Sequence, residues 1–333
     1  MTFKPYKIFE SNKVVKPGKE FNYAMVQKPD KVFKSGYTGL IGRTNVGKST
    51  LINRILKNNI LITSDKVQTT RNRINCIYNT SDAQAIFVDC PGFFKPRNLL
   101  GEKLNRIIYD VIEDVDIISV VVDLAGGIGA GDFYVFERIR ENQKPKILLL
   151  NKIDLMDRSK MRDLTIKPEL ILKQENFFDA VIPISALSGE NVDSFLETVI
   201  KNLPAGPKYY PDSVITDMPL NKMLAEIVRE KLADKLFEEL PHSINVEVES
   251  LERKTTSKGE PLSKIECSIF VEKKSHKAII IGRSGTMLKK IGELSRKDIE
   301  NLLGTRVYLK LWVKVIENWT RNEQYLSRMG FGG

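Results

Sequence analysis

The chain has 333 residues, of which 42% are hydrophobic and 28% charged, and its formal net charge at pH 7 is +10. This length corresponds to about two domains, and the hydrophobic content excludes a wholly disordered chain. The three cysteines, Cys76, Cys90 and Cys267, are widely spaced, which argues against a disulfide scaffold or structural zinc site and favours a reducing compartment. The apolar runs are much shorter than the roughly 18–20 residues that cross a bilayer, and the first residues lack the apolar segment of a secretory signal. We therefore expect a cytoplasmic protein.

The positive charge is concentrated in two segments. Residues 1–36 hold eight lysines against three acidic residues, and residues 273–314 hold eleven lysines and arginines against three acidic residues. A basic segment inside a folded domain indicates an anionic partner, with nucleic acid first and an anionic membrane surface second. A solvated lysine-rich face explains the same charge equally well.

Short apolar runs alternate with helical patterns from Tyr37 onward, whereas residues 1–35 show no sustained periodicity and are expected to form a poorly ordered basic extension. Several runs are apolar at almost every position, as strands covered on both faces require. The alternation predicts an α/β domain with a mostly parallel, doubly wound sheet over residues 36–203. The predicted strands are Tyr37–Ile41, Gln84–Asp89, Asp116–Asp123, Lys146–Leu150 and Ala180–Ile184, and the predicted helices are Lys48–Lys57, Gly101–Glu113, Asp132–Arg140 and Asn191–Asn202.

A cluster of prolines and glycine that begins at Pro204 marks residues 204–218 as a linker. Residues 219–333 have a different pattern, which predicts a smaller α+β domain. Its first segment, Pro219–Leu240, has the apolar spacing of an amphipathic helix. The segments that alternate like strands are Ile244–Val248, Lys264–Val271 and Val307–Val315.

Residues Gly42–Ser49 read Gly-Arg-Thr-Asn-Val-Gly-Lys-Ser, directly after a predicted strand and at the start of a predicted helix. This is the GxxxxGK[ST] phosphate loop in the structural context that the motif requires. Its glycines let backbone N–H groups turn toward phosphate oxygens, and the helix N-terminus adds a favourable field. Lys48 is expected to contact the β- and γ-phosphates, and Ser49 to supply a hydroxyl to Mg²⁺.

Three further motifs indicate a guanine nucleotide. Asp89–Gly92 follows a predicted strand and suits a water-mediated Mg²⁺ contact and a backbone N–H aimed at the γ-phosphate. In Asn151–Asp154, the carboxylate of Asp154 can accept from the guanine N1–H and the exocyclic amine, whereas adenine offers an N1 lone pair and no amine there. Asn151 is expected to tie the loops together, and the stem of Lys152 to cover the base. Ser185–Leu187 follows the next strand and can present a backbone N–H to guanine O6.

This ordered set of motifs resembles the G-domain of the translation-factor-related GTPases. The segment Gln68–Arg71 lies where those proteins have switch I, and Thr70 resembles the threonine that closes over Mg²⁺ in the GTP state, with Thr69 as the alternative. Phe93 stands where Ras-like enzymes have a glutamine that orients the attacking water. The chain thus resembles the subgroup with a hydrophobic residue at this position, for which slow unaided hydrolysis is expected. Some members of that subgroup hold K⁺ with a phosphate-loop asparagine, here Asn45.

The resemblance implies a set of site residues. Lys48, Thr70 and Gly92 are expected to act in catalysis, and Ser49 and Thr70 to bind Mg²⁺. The residues expected to bind GTP or GDP are Gly42, Arg43, Thr44, Asn45, Val46, Gly47, Lys48, Ser49, Asp89, Cys90, Pro91, Gly92, Phe93, Asn151, Lys152, Ile153, Asp154, Ser185, Ala186 and Leu187.

A second site is indicated by the GxxG sequence Gly282-Arg283-Ser284-Gly285, which precedes a helical pattern rich in lysine and arginine. Such a loop brings the backbone close to sugar-phosphate and resembles the KH module, which clamps about four single-stranded nucleotides. Taken alone, GxxG is more often a turn between helices, but the basic excess and the αββ…αβ pattern favour the KH interpretation. Lys277–Ile281 has strand propensity, whereas the KH arrangement implies a helix there, and we adopt the helix. The residues expected to bind RNA are Gly282, Arg283, Ser284, Gly285, Lys289 and Lys290.

The pairing of the two domains is more specific than either alone. A G-domain with Gln68–Arg71 and Phe93, followed by a KH-like domain that ends in Leu311–Val315 and Glu317–Trp319, is similar to the Era family of GTPases over about residues 36–331. The chain departs from the family pattern at Thr44, Cys90 and Phe94, where Pro, Thr and His are usual.

Membership of this family implies a GTP-dependent switch that binds the 3′ end of small-subunit (16S) rRNA and assists rRNA processing and assembly of the small (30S) ribosomal subunit. It implies Mg²⁺ with GTP or GDP as cofactors. The basic segments also leave open a peripheral contact with the anionic cytoplasmic face of the cell membrane. Nothing in the sequence requires more than a monomer.

Other interpretations stay open at this point. The first is a GTPase switch whose C-terminal domain binds a protein or membrane instead of RNA. The others are an RNA-binding protein with an inactive G-domain, which the intact nucleotide motifs argue against, and an ATPase, which Asp154 argues against. Tyr308 and Trp312 lie on the polar side of the last predicted strand, and they either stack on bases or pack on that strand's outer face.

Overall fold

The computed structural model describes residues 32–58, 60–61, 70–156, 177–236 and 240–331. Most of the extension expected over residues 1–35, and the switch I residues Gln68 and Thr69, lie outside these ranges. The strands are β1 (Lys34–Ile41), β2 (Ile74–Asn79), β3 (Ala83–Asp89), β4 (Ile117–Asp123), β5 (Lys146–Asn151), β6 (Ala180–Pro183), β7 (Asn245–Thr255), β8 (Pro261–Val271) and β9 (Arg306–Val315). The helices are α1 (Lys48–Leu56), α2 (Leu99–Asp114), α3 (Ala130–Arg138), α4 (Val192–Asn202), α5 (Leu220–Lys235), α6 (Lys274–Ile281), α7 (Thr286–Leu303) and α8 (Glu323–Leu326).

The first domain is built around a six-stranded sheet in the order β2-β3-β1-β4-β5-β6. All neighbouring strands are parallel except β2 and β3, which are antiparallel. Every residue of β3 and β5 is buried, and so is every residue of β4 except Asp123. Strands that are apolar throughout can be buried on both faces, so the predicted doubly wound α/β fold is confirmed.

Two apolar cores lie on opposite faces of this sheet. One is formed with residues of α1 and α4, including Leu51 and Phe195. The other is formed with residues of α2 and α3, including Ile108 and Phe136. The carboxyl ends of the parallel strands therefore open onto loops that the flanking helices hold in place, which is where this type of fold binds ligands.

The sheet has one more edge strand, β2, than the sequence analysis predicted. Strand β2 was not predicted, because asparagines interrupt its short apolar pattern, and β1 begins at Lys34 rather than at Tyr37 because its polar start pairs in register with β3. The predicted linker forms backbone hydrogen bonds to β2. The Ile77 N–H donates to the Ile215 carbonyl at 2.9 Å, and the Asp217 N–H donates to the Asn75 carbonyl at 3.3 Å.

The second domain has a three-stranded sheet in the order β7-β8-β9. β7 and β8 are antiparallel, whereas β8 and β9 are parallel. Its core includes residues of α5, α6 and α7 against the inner face of the sheet. Helix α5 ends at Lys235, before the predicted Leu240, and Lys277–Ile281 is helical, as the KH resemblance implied.

The C-terminal segment packs back onto the first domain. Trp319, Leu326 and Phe331 form an apolar cluster with Leu100 and Leu104 of α2. Trp319 is fully buried, and its Nε1–H donates to the Ser243 carbonyl at 3.1 Å. Helix α2 follows the Asp89–Gly92 motif, so this cluster connects the second domain to an element next to the phosphate site.

Candidate functional site

The phosphate loop joins β1 to α1 at the carboxyl edge of the sheet. Gly47 has a φ of 97°, and a Cβ at this position would lie 2.3 Å from Asn151 Nδ2. Asn151 holds the loop directly, since its Nδ2 donates to the Val46 carbonyl at 2.7 Å. Glycine is therefore required at position 47 both by the backbone conformation and by the close approach of Asn151.

Three oxygen-bearing side chains meet beside this loop. Ser49 Oγ donates to Asp89 Oδ2 at 2.9 Å, and Thr70 Oγ1 donates to the same oxygen at 3.0 Å. The two hydroxyl oxygens are 3.2 Å apart. All three residues are buried, and Oδ1 of Asp89 has no hydrogen-bond partner among the described residues. A buried carboxylate with an unpaired oxygen and two adjacent hydroxyls fits Mg²⁺, which prefers oxygen ligands and keeps several waters.

Burial shifts two titratable groups at this place toward their neutral forms. Desolvation raises the pKa of the Asp89 carboxyl, and the nearby Lys48 opposes this shift. Desolvation likewise lowers the pKa of the Lys48 ammonium, which Cys90 and Asp89 oppose. Lys48 Nζ donates to the Arg43 carbonyl at 2.9 Å. A phosphate would favour the charged form of Lys48, and a divalent cation that of Asp89, so the pair is suited to bind both together.

The Asp89–Gly92 motif lies against the phosphate loop. A Cβ on Gly92 would lie 2.5 Å from the Thr44 nitrogen, and the Phe93 N–H donates to the Gly42 carbonyl at 2.9 Å. The motif's second residue, Cys90, is buried, and burial raises the pKa of its thiol to about 12. The motif is thus close enough to the loop for its backbone to meet the terminal phosphate.

Phe93 is surrounded by aromatic rings. It makes edge contacts with Tyr109 and Tyr134, at centroid distances of 5.6 and 5.8 Å, and Arg138 lies over both tyrosine rings. Its side chain cannot hydrogen-bond water, as expected from the sequence.

The loops that were predicted to bind guanine are connected through Asn151. Besides its bond to the phosphate loop, Asn151 accepts from the Ala186 N–H at 2.9 Å through Oδ1. Asp154 is exposed at the edge of the sheet and accepts from Ser185 Oγ at 2.6 Å. Ile153 is buried beneath this loop. The arrangement leaves the Asp154 carboxylate accessible to a base.

Three charged residues near the nucleotide motifs were not singled out from the sequence. Asp123, at the end of β4, pairs with Lys152 Nζ at 2.7 Å. Asp132 pairs with Arg43 Nε at 2.8 Å, and Arg54 donates to the Ala186 and Leu187 carbonyls. Asp123 had a usable signal, because it ends a strand beside the one that ends at Asp89.

The GxxG loop lies between α6 and α7. Gly282, Ser284 and Gly285 all have positive φ, at 72°, 51° and 78°. A Cβ on Gly282 would lie 2.7 Å from that of Met287, whereas one on Gly285 would have nothing within 4 Å. The cationic side chains at and after the loop, Arg283, Lys289 and Lys290, are exposed. The loop therefore presents backbone and positive charge to solvent.

Two further properties of the described part of the chain bear on the site. None of its helices is long and apolar enough to span a membrane. It contains no group of three or more His, Cys, Asp or Glu residues arranged to hold a metal ion. The oxygen ligands available for a cation beside the phosphate loop are two hydroxyls, of Ser49 and Thr70, and the carboxylate of Asp89.

The two halves of the chain match different protein families. Residues 37–152 match the family described as "50S ribosome-binding GTPase", and residues 239–320 match the family described as "KH domain". The first range contains the phosphate loop and the second contains the GxxG loop.

Curated relatives cover nearly the whole chain. It is 42% identical over 299 residues to the GTPase Era of Alkaliphilus metalliredigens, an alignment that covers 90% of this chain and 99% of the relative. It is 44% identical to the GTPase Era of Alkaliphilus oremlandii, with the same two coverages. It is 45% identical to that of Caldanaerobacter subterraneus subsp. tengcongensis, covering 90% and 98%.

Two solved structures have the same overall fold. One is Era in complex with MgGDPNP and nucleotides 1506–1542 of 16S ribosomal RNA, with a TM-score of 0.85, 37% identity, and coverage of 90% of this chain and 100% of that one. The other is a variant of Aquifex aeolicus Era bound to GDP and AlF₄⁻, with a TM-score of 0.84, 36% identity and the same coverages.

Proposed function

This chain belongs to the Era family of GTPases, and on that premise we propose that it binds and hydrolyses GTP and holds the 3′ end of 16S rRNA through the loop 282–285. In this role it assists rRNA processing and assembly of the small ribosomal subunit. The observation that carries the proposal is the presence, on one chain, of a connected guanine-nucleotide site and an exposed, cationic GxxG loop. The name of the first family model refers to the 50S subunit. The 16S rRNA complex supports the small subunit instead, because its protein matches this chain over both domains.

The residues beside the phosphate loop divide the work of phosphoryl transfer to water. Bound Mg²⁺ supplies positive charge at the β- and γ-phosphates. Ser49 and Thr70 offer it hydroxyl oxygens, and Asp89 is close enough to act through a water. We assign to Lys48 the neutralisation of phosphate charge, and to the Gly92 N–H a hydrogen bond to the γ-phosphate. Phe93 provides no side-chain bond to the attacking water, so slow intrinsic hydrolysis is expected.

Guanine specificity is assigned to Asp154 and to the backbone around Ala186. The carboxylate pairs with the guanine N1–H and amino group, and an adenine would leave it without these donors. A site that is built to hydrogen-bond a substrate group rejects an analogue that lacks it by as much as about 10⁴–10⁵-fold. Asn151, which bonds to both the phosphate loop and the Ala186 backbone, supports this assignment because it connects these loops.

The RNA-binding assignment is tested with a matched pair of glycine substitutions in the full-length protein. Gly285 and Gly259 have φ values of 78° and 80°, and a Cβ at either has nothing within 4 Å. Gly285→Asp adds a negative charge at the loop, whereas Gly259→Asp adds the same charge at the β7–β8 turn. With a GTP analogue bound, we expect Gly285→Asp to abolish binding of a short RNA from the 16S 3′ end and Gly259→Asp to retain it.

A scrambled RNA and a salt series accompany this measurement. Preference for the 16S sequence supports recognition by the loop, whereas binding that ignores sequence and falls steeply with salt indicates a basic surface only. Binding to anionic vesicles that equals or exceeds RNA binding would favour a membrane-directed switch. Preference for ATP over GTP would contradict the role of Asp154.

We extend the proposal to an activating K⁺ ion and to location. Asn45 lies at the tip of the phosphate loop with a φ of 62°, and we propose that it helps to hold K⁺ beside the nucleotide. Replacing K⁺ with Na⁺ should slow hydrolysis by the wild type but not by Asn45→Gly, which keeps the backbone conformation. We place the protein in the cytoplasm, with peripheral contact at the anionic face of the membrane, which vesicle flotation tests.

A further inference from the structure

Arg71 is a fully buried charge that none of the nucleotide motifs explains. It directly follows Thr70, and its side chain is 1% exposed. Its Nη1–H donates to the Ile244 carbonyl at 2.6 Å. Ile244 lies immediately before β7, in the second domain. The residue next to the expected Mg²⁺ ligand is therefore attached to the other domain.

Two charged residues of α5, the buried Arg229 and the partly buried Glu226, form a charged cluster with Arg71. Arg229 Nε donates to Glu226 Oε1 at 2.9 Å, and a second bond joins its Nη2 to Oε2. Burial lowers the pKa of Arg71 to about 9; Arg229 adds to this shift and Glu226 opposes it, so the guanidinium stays charged at pH 7. Glu226 also lines a small cavity together with Thr70 and Asp89. A residue of the second domain thus lines the same cavity as two residues of the expected Mg²⁺ site.

This cluster is expected to contribute little to the free energy of folding. Burying two arginines and one glutamate costs desolvation energy that their attraction barely repays, and apolar side chains of similar volume often stabilise a protein as well or better. What the cluster does supply is geometry, because a guanidinium donates along fixed directions. It constrains the backbone at residue 71, and so the position of Thr70.

A second contact between the domains lies next to this one. The Ser243 carbonyl, adjacent to that of Ile244, accepts from Trp319 Nε1 at 3.1 Å. Trp319 packs on α2, the helix that follows the Asp89–Gly92 motif. Of these two neighbouring carbonyls, one accepts from the residue that follows Thr70. The other accepts from a side chain that packs on the helix after the Asp89–Gly92 motif.

We propose that Arg71 is a positioning residue that acts through Thr70: anchored on Ile244 and the Glu226–Arg229 pair, it makes the second domain part of the nucleotide site. This inference rests on the proposed GTP site. GTP binding and hydrolysis, which need Thr70 on Mg²⁺, then depend on the contact between Arg71 and the second domain. GDP binding, which relies on the phosphate loop and the base loops, does not.

The test compares Arg71→Met with Arg73→Met in the full-length protein. Arg73 lies two residues further along, is partly exposed and pairs with Asp114, so it is a matched loss of charge outside the cluster. Residues that orient a metal ligand typically change affinity or activity about 10- to 100-fold when they are substituted. For Arg71→Met we expect the ratio of GTP-analogue to GDP affinity to fall by about this factor, with a matching rise in the Mg²⁺ concentration needed for hydrolysis. Arg73→Met should change neither.

The outcomes separate this inference from the proposed function. An unchanged affinity ratio in Arg71→Met overturns the inference, and equal weakening of both nucleotides assigns Arg71 a structural role and also overturns it. If Arg71→Met does not fold, Arg71→Lys decides, since it keeps the charge but loses the planar fork; there a reduced ratio supports the inference and an unchanged one contradicts it. Failure of the wild type to bind or hydrolyse GTP would instead remove the proposed function.

Discussion

Asp89 is the residue at which the chemistry of the nucleotide site is concentrated. It is fully buried, accepts bonds from Ser49 and Thr70 on one oxygen, and leaves the other without a partner among the described residues. Such an arrangement costs free energy in the free protein. A bound cation offsets this cost, so Asp89 favours binding of a metal–nucleotide complex over binding of the nucleotide alone.

The opposite pKa shifts of Asp89 and Lys48 predict a bell-shaped pH dependence of Mg²⁺·GDP affinity. Since the Asp89 pKa is raised, acidification protonates the carboxylate and weakens binding at a pH above its ordinary 3.8. Since the Lys48 pKa is lowered, alkalinity removes its proton and weakens binding at a pH below its ordinary 10.5. Titrations with a fluorescent GDP across pH should show both limbs. Asp89→Asn should lose the acid limb and retain the alkaline one; an acid limb that persists would assign it to another group.

Gly92 is expected to tolerate no side chain. A Cβ at this position would lie 2.5 to 2.7 Å from backbone atoms of Arg43 and Thr44, which is too close for a non-bonded contact. Gly92→Ala must push the motif away from the phosphate loop, and a displacement of about 1 Å can cost on the order of 10²-fold in rate. We therefore expect GTP hydrolysis to fall about 100-fold, with GDP affinity retained. Gly129→Ala, where a Cβ meets nothing within 4 Å, is the control. Equal rates in the two variants would contradict the predicted contact.

At the scale of elements, helix α6 illustrates how tertiary context overrides local propensity. Its sequence ends in Ala278 and three isoleucines, which favour a strand, yet it is helical and places Ile280 in the core. The adjacent GxxG loop and the packing of α7 decide the outcome. Only the family resemblance, and not the residue pattern, anticipated this helix.

Strand β9 presents two aromatic residues on the outer face of the second sheet. Tyr308 is 53% exposed and Trp312 is 46% exposed, which suits base stacking. The charges of this face are largely paired, however: Lys314 pairs with Glu249 and Lys264 with Glu266. A face with little net charge is a poor surface for RNA.

Because this face carries little net charge, we expect Trp312→Ala to change affinity for the 16S 3′-end RNA by no more than about twofold. Loss of a stacked base would instead cost about 1–3 kcal/mol. Fluorescence anisotropy with labelled RNA measures this, with Gly285→Asp as the variant that does fail to bind. A tenfold or larger loss in Trp312→Ala would mean that RNA extends over the sheet.

Much of the nucleotide site was predictable because its motifs are local and follow strand ends in a fixed order. The contacts of Arg71 and Arg54 were not, because they join segments that are distant in sequence. Arg71 also lies in a polar stretch, where an arginine resembles a surface residue. The edge strand β2 was missed for a related reason: its asparagines are explained only by what lies beside them, such as Asp217, which accepts from Asn75.

At the scale of the whole molecule, the two domains share an apolar cluster where α2 meets the C-terminal segment. Leu100 and Leu104 on one side pack against Trp319, Leu326 and Phe331 on the other. An ion pair between the partly buried Lys103 and the exposed Glu323, at 2.9 Å, lies at the rim. The apolar part should dominate the energetics of the interface.

Adjacent residues of α2 test this assignment. Leu104→Ala should lower the free energy of unfolding by about 2–5 kcal/mol, whereas Lys103→Ala should lower it by no more than about 1 kcal/mol. Urea unfolding followed by circular dichroism measures both. We also expect Leu104→Ala to separate the unfolding of the two domains into distinct transitions. Similar losses for both variants would place the interface energy in the ion pair.

The segment that joins the domains also closes the open edge of the first sheet. Residues 215–217 bond to β2, which otherwise ends the sheet with unpaired backbone groups, and unpaired edges invite association with other chains. These residues are synthesised more than a hundred positions after β2. At about 5–20 residues per second, a nascent chain exposes this edge for on the order of ten seconds. A separately expressed first domain should accordingly end after Asp217 rather than at residue 203. If it ends at residue 203, the unpaired edge of β2 is expected to promote aggregation.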